Sequence, residues 1–171
     1  MYLSPEQQDE LRPFFKILRI ICGALIGGLL VASILISTVI DWQNVTTALD
    51  ILPIFGLGFM VLCSALAFIV PSFIGPSALE PGNVFANKID NQQIRSLFAQ
   101  YQTRTIIKFS LLDGAAFLNL MLFMIEHSLF NLAAVAFTVV IMLVSIPSDN
   151  AVIQWIETRM GQDELKPYLN Y

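Results

Sequence analysis

One acidic side chain, Asp113, lies inside a strongly apolar stretch that runs from Thr105 to Glu126. An Asp at the centre of a membrane helix costs about 2.5–3.5 kcal/mol on insertion scales, so it is a candidate functional group. Its carboxyl could carry a proton or a cation, or it could hydrogen-bond to a neighbouring helix, with Ser110 one turn earlier as a candidate partner. Gly114 would let a neighbouring backbone approach the carboxyl. We favour the structural contact, and the ion-carrying role stays open.

Three further polar positions belong to the same stretch. Lys108 lies about 140° around an ideal helix from Asp113, so we expect it to extend to the lipid headgroups as an interface anchor instead of pairing with the carboxylate. Asn119 shares another stripe with Glu126 and is a second candidate for an ion or helix contact. Glu126 and His127 occur together at a tight turn, where a solvated loop is favoured over an acid–base site.

Catalytic signatures are missing from the sequence, which has no nucleophile elbow, phosphate-binding glycine loop, metal-ligand cluster or nucleotide fingerprint. Cys22 and Cys63 have no second ligand at metal-binding spacing and are predicted to be small packing residues. The formal charge of −4 offers no basic surface for nucleic acid. We therefore predict a non-enzymatic protein with no cofactor, no metal and no nucleic-acid partner.

Four apolar stretches must position these residues. Each is close to the roughly 20 residues that cross about 30 Å of hydrocarbon as a helix, and the mean hydropathy is +0.71. They are residues 17–40, 51–75, 105–126 and 129–147. The sequence thus predicts an all-α fold, an integral membrane four-helix bundle that forms a single domain over residues 1–171.

The nine Lys and Arg residues all fall on one side of these stretches. They are Arg12, Lys16, Arg19, Lys88, Arg95, Arg104, Lys108, Arg159 and Lys166. The connectors 41–50 and 126–129 contain no Lys or Arg. Because basic segments stay in the cytoplasm, we expect both termini and the loop 76–104 to be cytoplasmic.

Short amphipathic helices should flank the spans at the membrane interface. One begins at Ser4-Pro5 and is expected to last only a few turns because Pro13 follows. A second follows Asp90 and either lies on the membrane or extends the third span. The third covers about residues 149–160, ends at Gly161 and places Trp155 at headgroup level as an interface anchor.

Small residues form a stripe along the first span. Gly23, Gly27 and Gly28 stand in the order Gly-x-x-x-Gly-Gly, which allows another helix to approach closely. We favour packing against a neighbouring span of the same chain, and self-association through the stripe stays open.

The run from Tyr101 to Leu120, which contains Leu-Leu-Asp-Gly-Ala-Ala-Phe, resembles a group of small uncharacterised bacterial four-span membrane proteins. So does the later Pro147-Ser-x-x-x-Val-Ile-x-Trp-Ile-Glu157. Where that group typically has Arg and Glu in the third helix, this chain has Lys108 and Asp113. The resemblance implies a bacterial cytoplasmic membrane and names no activity.

Some members of that group are distantly similar to the proteolipid subunit of rotary ATP synthases. In that subunit a mid-membrane carboxylate carries the ion and a glycine-rich helix packs in a ring. The similarity implies that Asp113 would bind the ion and that Gly23, Gly27 and Gly28 would form the helix contacts within the ring.

We therefore expect an accessory or assembly protein whose partners are the lipid bilayer and either further copies of itself or another membrane protein. A proton or cation conduit that uses Asp113 is the alternative. A lipid-modifying enzyme comes third, because no cluster of polar catalytic residues marks one interface.

Overall fold

The computed structural model describes the backbone of residues 5–73 and 91–169, and the side chains of residues 11–73 and 95–159. The described chain is all-helical, as predicted. It contains α1 (Pro5–Val39), a short 3-10 turn (Trp42–Asn44), α2 (Ile51–Phe73), α3 (Asn91–Glu126), α4 (Leu129–Val144) and α5 (Asp149–Leu169). The predicted irregular chain from Ile74 to Asp90, with Lys88, lies outside the described residues.

Three of these helices are long and apolar enough to cross a membrane, through Leu11–Val39, Ile51–Phe73 and Arg95–Glu126. α4 has 16 residues and is therefore about 24 Å long, less than the hydrocarbon thickness. It is long and apolar enough to span a membrane only when it is counted together with Asp149–Arg159 of α5, and the two helices meet at a bend of 66°. The chain is a helical membrane protein with three to four spanning helices, and the predicted fourth span depends on that bent pair.

Hydrogen bonds at one end of the bundle join the two short connectors. The Thr46 amide donates to the His127 carbonyl at 3.0 Å, and the Leu129 amide donates to the Thr46 carbonyl at 3.0 Å. The end of α1, the start of α2, the end of α3 and the start of α4 therefore meet here, which we call the loop end. At the opposite, basic end, Arg19 of α1 pairs with Asp149 of α5 at 2.9 Å. The first four helices thus run alternately up and down.

α3 is the central helix of the core. α1 and α2 each pack against the α3–α4 pair and form no substantial interface with each other among the described residues. α2 contributes a narrow face whose members recur at spacings of three and four, namely Pro53, Gly56, Met60, Cys63 and Ala67. From α1 come the buried side chains Leu18, Cys22, Ile26 and Leu29. Cys22 and Cys63 are buried and unpaired, in agreement with their predicted packing role.

Proline does not end the first helix. α1 continues through Pro13 as one unit of 35 residues, so the predicted break between an interfacial helix and the first span is wrong. Leu11, Phe15 and Leu18 lie on one face of α1 on both sides of the proline, and all three are buried. Packing of this face offsets the backbone hydrogen bond that proline removes.

A second core lies at the basic end. The predicted loop 76–104 is helical from Asn91 onward, because α3 begins there and continues unbroken into the span. Of the two alternatives for the amphipathic helix after Asp90, the structure shows the one that extends the third span. The first turns of α3 pack with the start of α1 and with α5 in what we call the head cluster: Leu11, Phe15, Leu97, Phe98, Val152 and Ile156. The Phe98 ring lies 5.5 Å from the Phe15 ring. The three segments therefore support one another.

The predicted stop at Gly161 is also passed, because α5 continues to Leu169. A mid-helix glycine costs about 1 kcal/mol relative to alanine, and good helix formers follow it in Gln162, Glu164 and Leu165. α2 similarly runs through Pro71 to Phe73, the last described residue before the gap.

Candidate functional site

Asp113 lies at the margin of the buried face of α3, next to fully buried Phe109 and Leu112. Its side chain is half-buried. The Oδ1 atom is buried and has no hydrogen-bond partner among the described residues. Among the described residues, this carboxyl therefore does not make the hydrogen-bonded helix contact that we expected.

Neither residue predicted to serve Asp113 contacts its carboxyl in the described structure. Ser110 is exposed on the surface of α3, about 60° around the helix from Asp113 at 100° per residue. Although the two residues lie on neighbouring parts of the helix surface, the predicted hydrogen bond between them is absent, and the Asp113 Oδ1 atom has no partner. Gly114 is also exposed, and a Cβ placed on it would meet no atom within 4 Å. Among the described residues, no neighbouring backbone uses the space that this glycine leaves.

Asn119 makes the interhelical contact instead. It is fully buried, with 0% of its surface exposed. Its Nδ2 atom donates to the Gly56 carbonyl of α2 at 3.1 Å and to the Ala115 carbonyl one turn earlier on α3 at 2.9 Å. These two bonds fix the amide orientation and tie α2 to α3 near the loop end. Of the candidates Asp113, Ser110 and Asn119, only Asn119 contacts another helix through a hydrogen bond in the described structure.

Gly56 is required at this contact for reasons of space. A Cβ at Gly56 would lie 2.6 Å from the Asn119 Oδ1 atom, 2.9 Å from the Asn131 Oδ1 atom and 2.9 Å from Leu122 Cδ1. Such distances are far shorter than van der Waals contact. Sequence reasoning placed Gly56 in the second span and assigned it no packing role, so this residue was missed.

Asn131 is a second fully buried amide, contributed by the first turns of α4. Neither its Oδ1 nor its Nδ2 atom has a hydrogen-bond partner among the described residues. Asn119, Asn131 and Gly56 thus form a polar contact shared by three helices, which we call the amide cluster. Asn131 was also missed, although an asparagine just inside an apolar span is a signal that could have identified it.

Lys108 contacts the second helix. Its Nζ atom lies 4.2 Å from the centre of the Phe68 ring of α2, and the side chain is half-buried. A cation above an aromatic face is stabilised by the ring quadrupole. Lys108, which was predicted to be an interface anchor, thus also makes an interhelical contact with α2.

The glycine stripe of α1 faces outward. A Cβ built at Gly23, Gly27 or Gly28 would meet no atom within 4 Å. The favoured prediction, that this stripe packs against a neighbouring span of the same chain, is therefore wrong for the described residues. The larger residues Leu18 and Cys22 supply the intramolecular face, because they lie on the opposite side of the helix.

Trp155 joins α5 to α3 at the basic end. Its indole lies 5.4 Å from the Tyr101 ring in an edge-on arrangement. The guanidinium carbons of Arg104 and Arg159 lie 5.3 Å and 5.6 Å from its centroid. Trp155, which was predicted to be an interface anchor, is half-buried and packs beside two cations.

The turn between α3 and α4 is not the solvated loop that we favoured. Ser128 is buried, and its hydroxyl donates to the Ala48 carbonyl at 3.3 Å. The Glu126 Oε2 atom is buried without a hydrogen-bond partner in the described part of the chain. His127 has φ of 56°, in the left-handed region that ends a helix. Within the described residues no group of three His, Cys, Asp or Glu side chains could hold a metal ion.

Comparisons with protein-family models, with curated proteins and with solved structures found no match.

Proposed function

We propose that this is a non-enzymatic accessory protein of a membrane that assembles with a second copy of itself through the outward face of α1. The observation that carries the proposal is the position of Gly23, Gly27 and Gly28, which leave open space on the side of α1 that faces away from the bundle. Small residues at this spacing let two membrane helices approach closely.

The peripheral position of α1 supports this assembly. Only 17% of the most apolar 18-residue segment of α1 is buried within the protein, whereas 44% of the corresponding segment of α3 is buried. Ile20 and Val31 flank the glycines on the same side and are 69% and 57% exposed. This mixture of open glycines and flanking β-branched side chains gives a groove and two ridges, which a second copy of the same face can match.

The anchoring of α1 also supports the proposal. The buried Leu11 and Phe15 hold its first half in the head cluster, and Arg19 donates to the Asp149 carboxylate at 2.9 Å. The helix cannot rotate its glycines inward without breaking these contacts. The outward face is therefore presented in one fixed orientation.

Self-association can be measured by energy transfer between labelled copies in liposomes at decreasing protein-to-lipid ratio. We expect the Gly23→Leu/Gly27→Leu variant to lose transfer at ratios where the parent protein retains it. Because a Cβ at either position meets nothing within the bundle, folding should be unaffected. Gly58→Leu on α2 is the matched control, since Gly58 is exposed with no atom within 4 Å of its Cβ position. Equal transfer in both variants would reject the proposal.

A second candidate function is a proton or cation conduit that uses Asp113. It is favoured by the buried, unpartnered Oδ1 atom, because a carboxyl without a structural partner is available to bind a proton or an ion. Reaction with a hydrophobic carbodiimide across pH, with and without sodium, tests this role. Labelling of Asp113 that fades as the pH rises, or that sodium blocks, would support it. No labelling of folded protein at any pH would reject it.

The orientation that we propose places both termini and the basic end in the cytoplasm, in a bacterial cytoplasmic membrane. It rests on the nine basic residues, all on one side of the apolar stretches. Accessibility of a cysteine introduced at Gln43, at the loop end, to an impermeant thiol reagent in intact cells tests it. Labelling from outside is the expected result.

A further inference from the structure

The geometry at the basic end points to a binding site for the headgroup of an anionic phospholipid, formed by Arg104 of α3 with Trp155 and Arg159 of α5. Their cations lie 5.3 Å and 5.6 Å from the centroid of the same indole. Two like charges are thus held at one ring by residues from different helices. Such a patch attracts a phosphate, and arginine is the side chain best suited to bind it.

The position of this patch selects a lipid as the ligand. Arg104 lies at the start of the apolar stretch of α3, where a helix passes from the headgroup region into hydrocarbon. Trp155 is half-buried and packs beside Tyr101. Tryptophan and arginine at this depth are typical of the headgroup level.

The neighbouring charges preserve the positive sign of the site. Glu157 is the acidic residue of α5 closest in sequence, and both Glu157 and Arg104 make further contacts beyond the indole ring. Lys108 lies one turn along α3 from Arg104 and adds a further cation, although its Nζ atom is directed at the Phe68 ring. Among the side chains that the structure describes here, two arginines and a lysine against one glutamate leave a net positive charge. A zwitterionic headgroup supplies no net charge to match it, whereas an anionic one does.

Tryptophan fluorescence gives a direct test, because the chain has two Trp residues and Trp42→Phe leaves Trp155 as the sole reporter. The full-length protein would be placed in phosphatidylcholine vesicles in which one-tenth of the lipid carries bromine on its acyl chains. The brominated lipid would be either phosphatidylglycerol or phosphatidylcholine. We expect stronger quenching by brominated phosphatidylglycerol, since the site enriches this lipid beside Trp155.

Removal of the cations should remove the preference. Each basic residue near an anionic surface raises the lipid affinity by roughly fivefold. Arg104→Gln/Arg159→Gln should therefore equalise quenching by the two lipids, while Arg104→Lys/Arg159→Lys should retain most of the difference. Arg12→Gln/Lys16→Gln is the matched control, because it removes two exposed charges from α1 and should leave the preference unchanged.

Several outcomes would overturn the inference. One is equal quenching of the parent protein by both lipids. Another is loss of the preference in the Arg12→Gln/Lys16→Gln control, which would assign the effect to general surface charge. Millimolar inorganic phosphate that abolishes the quenching difference at constant ionic strength would show a free-phosphate site instead of a lipid site. If the glutamine variant fails to fold, the inference is tested on the parent protein alone. Sodium chloride should then reduce its stronger quenching by brominated phosphatidylglycerol, because salt screens the attraction between charges.

Discussion

Asn119 donates both amide hydrogens inside a region closed to solvent, and one of the two bonds crosses to the Gly56 carbonyl at 3.1 Å. In hydrocarbon a lost interhelical hydrogen bond costs about 0.6 kcal/mol on average and up to about 1.7 kcal/mol. The bond is buried and joins uncharged groups, so its contribution should not depend on salt. Asn119 is therefore the residue at which the stability of the α2–α3 contact is best tested.

We expect Asn119→Ala to lower the unfolding free energy by about 1 kcal/mol, because it removes the bond to Gly56. Ser110→Ala is the control on the same helix, and its effect should stay within about 0.5 kcal/mol because Ser110 is exposed. Reversible unfolding in mixed detergent micelles provides the measurement. An equal effect of the two substitutions would contradict the contact.

A methyl group at Gly56 should be costly. Gly56→Ala places a carbon 2.6 Å from the Asn119 Oδ1 atom, and overpacking of this kind lowers stability by about 1–3 kcal/mol. Gly58→Ala adds the same methyl where no atom lies within 4 Å and should instead raise stability by up to about 1 kcal/mol through helix propensity. Thermal unfolding of the two variants in the same detergent measures these opposite changes in stability. Similar midpoints would argue against close packing at Gly56.

Residue type alone could not distinguish these positions. Gly23, Gly27, Gly56 and Gly58 all lie in apolar stretches, yet only Gly56 has a neighbouring helix at van der Waals distance. Likewise Asp113 and Asn119 belong to one helix, and which of them contacts α2 depends on the rotation of α3 about its axis. That rotation is set by the packing of all the helices together, which the sequence of one helix does not contain.

At the scale of the elements, α1 and α3 extend well beyond a bilayer. α3 has 36 residues, so it measures about 54 Å against roughly 30 Å of hydrocarbon. The excess at its start is the part that packs in the head cluster. A long helix that leaves the membrane needs such packing, because its apolar face would otherwise be exposed to water.

Phe98 is central to this packing, since its ring contacts both Phe14 and Phe15. Phe98→Ala should lower the stability of the head cluster by about 3–5 kcal/mol and increase amide exchange throughout residues 149–159 of α5. Phe117→Ala on the same helix is the control, because Phe117 is 40% exposed and lies outside both clusters. Hydrogen exchange read by mass spectrometry is the measurement. Unchanged exchange in α5 after Phe98→Ala would show that α5 is held by other contacts.

Hydropathy predicted where the apolar helices lie, because lipid imposes a length and a composition on any helix that crosses it. The helix ends were predicted less well. The predicted helix ends at Pro13 and Gly161 rested on local signals, and the structure passes both. Tertiary packing outweighed the local signal at Pro13, where the buried face of α1 continues on both sides of the proline.

For the molecule as a whole, the packed side of α1 is separate from its glycine side. The core uses Leu18, Cys22, Ile26 and Leu29, while Gly23 and Gly27 remain open. Burial within one copy therefore does not compete with contact between copies. This separation is what allows association to be changed without unfolding the protein.

Disulfide cross-linking in native membranes tests self-association through α1 most directly. In a Cys22→Ala/Cys63→Ala background, Ala24→Cys places one thiol beside Gly23 and Gly27 on the exposed face, and Ala65→Cys places one on an exposed position of α2. The account predicts that mild oxidation converts the Ala24→Cys protein to a covalent dimer and leaves the Ala65→Cys protein monomeric. Equal cross-linking of the two, or none at Ala24→Cys, would contradict it.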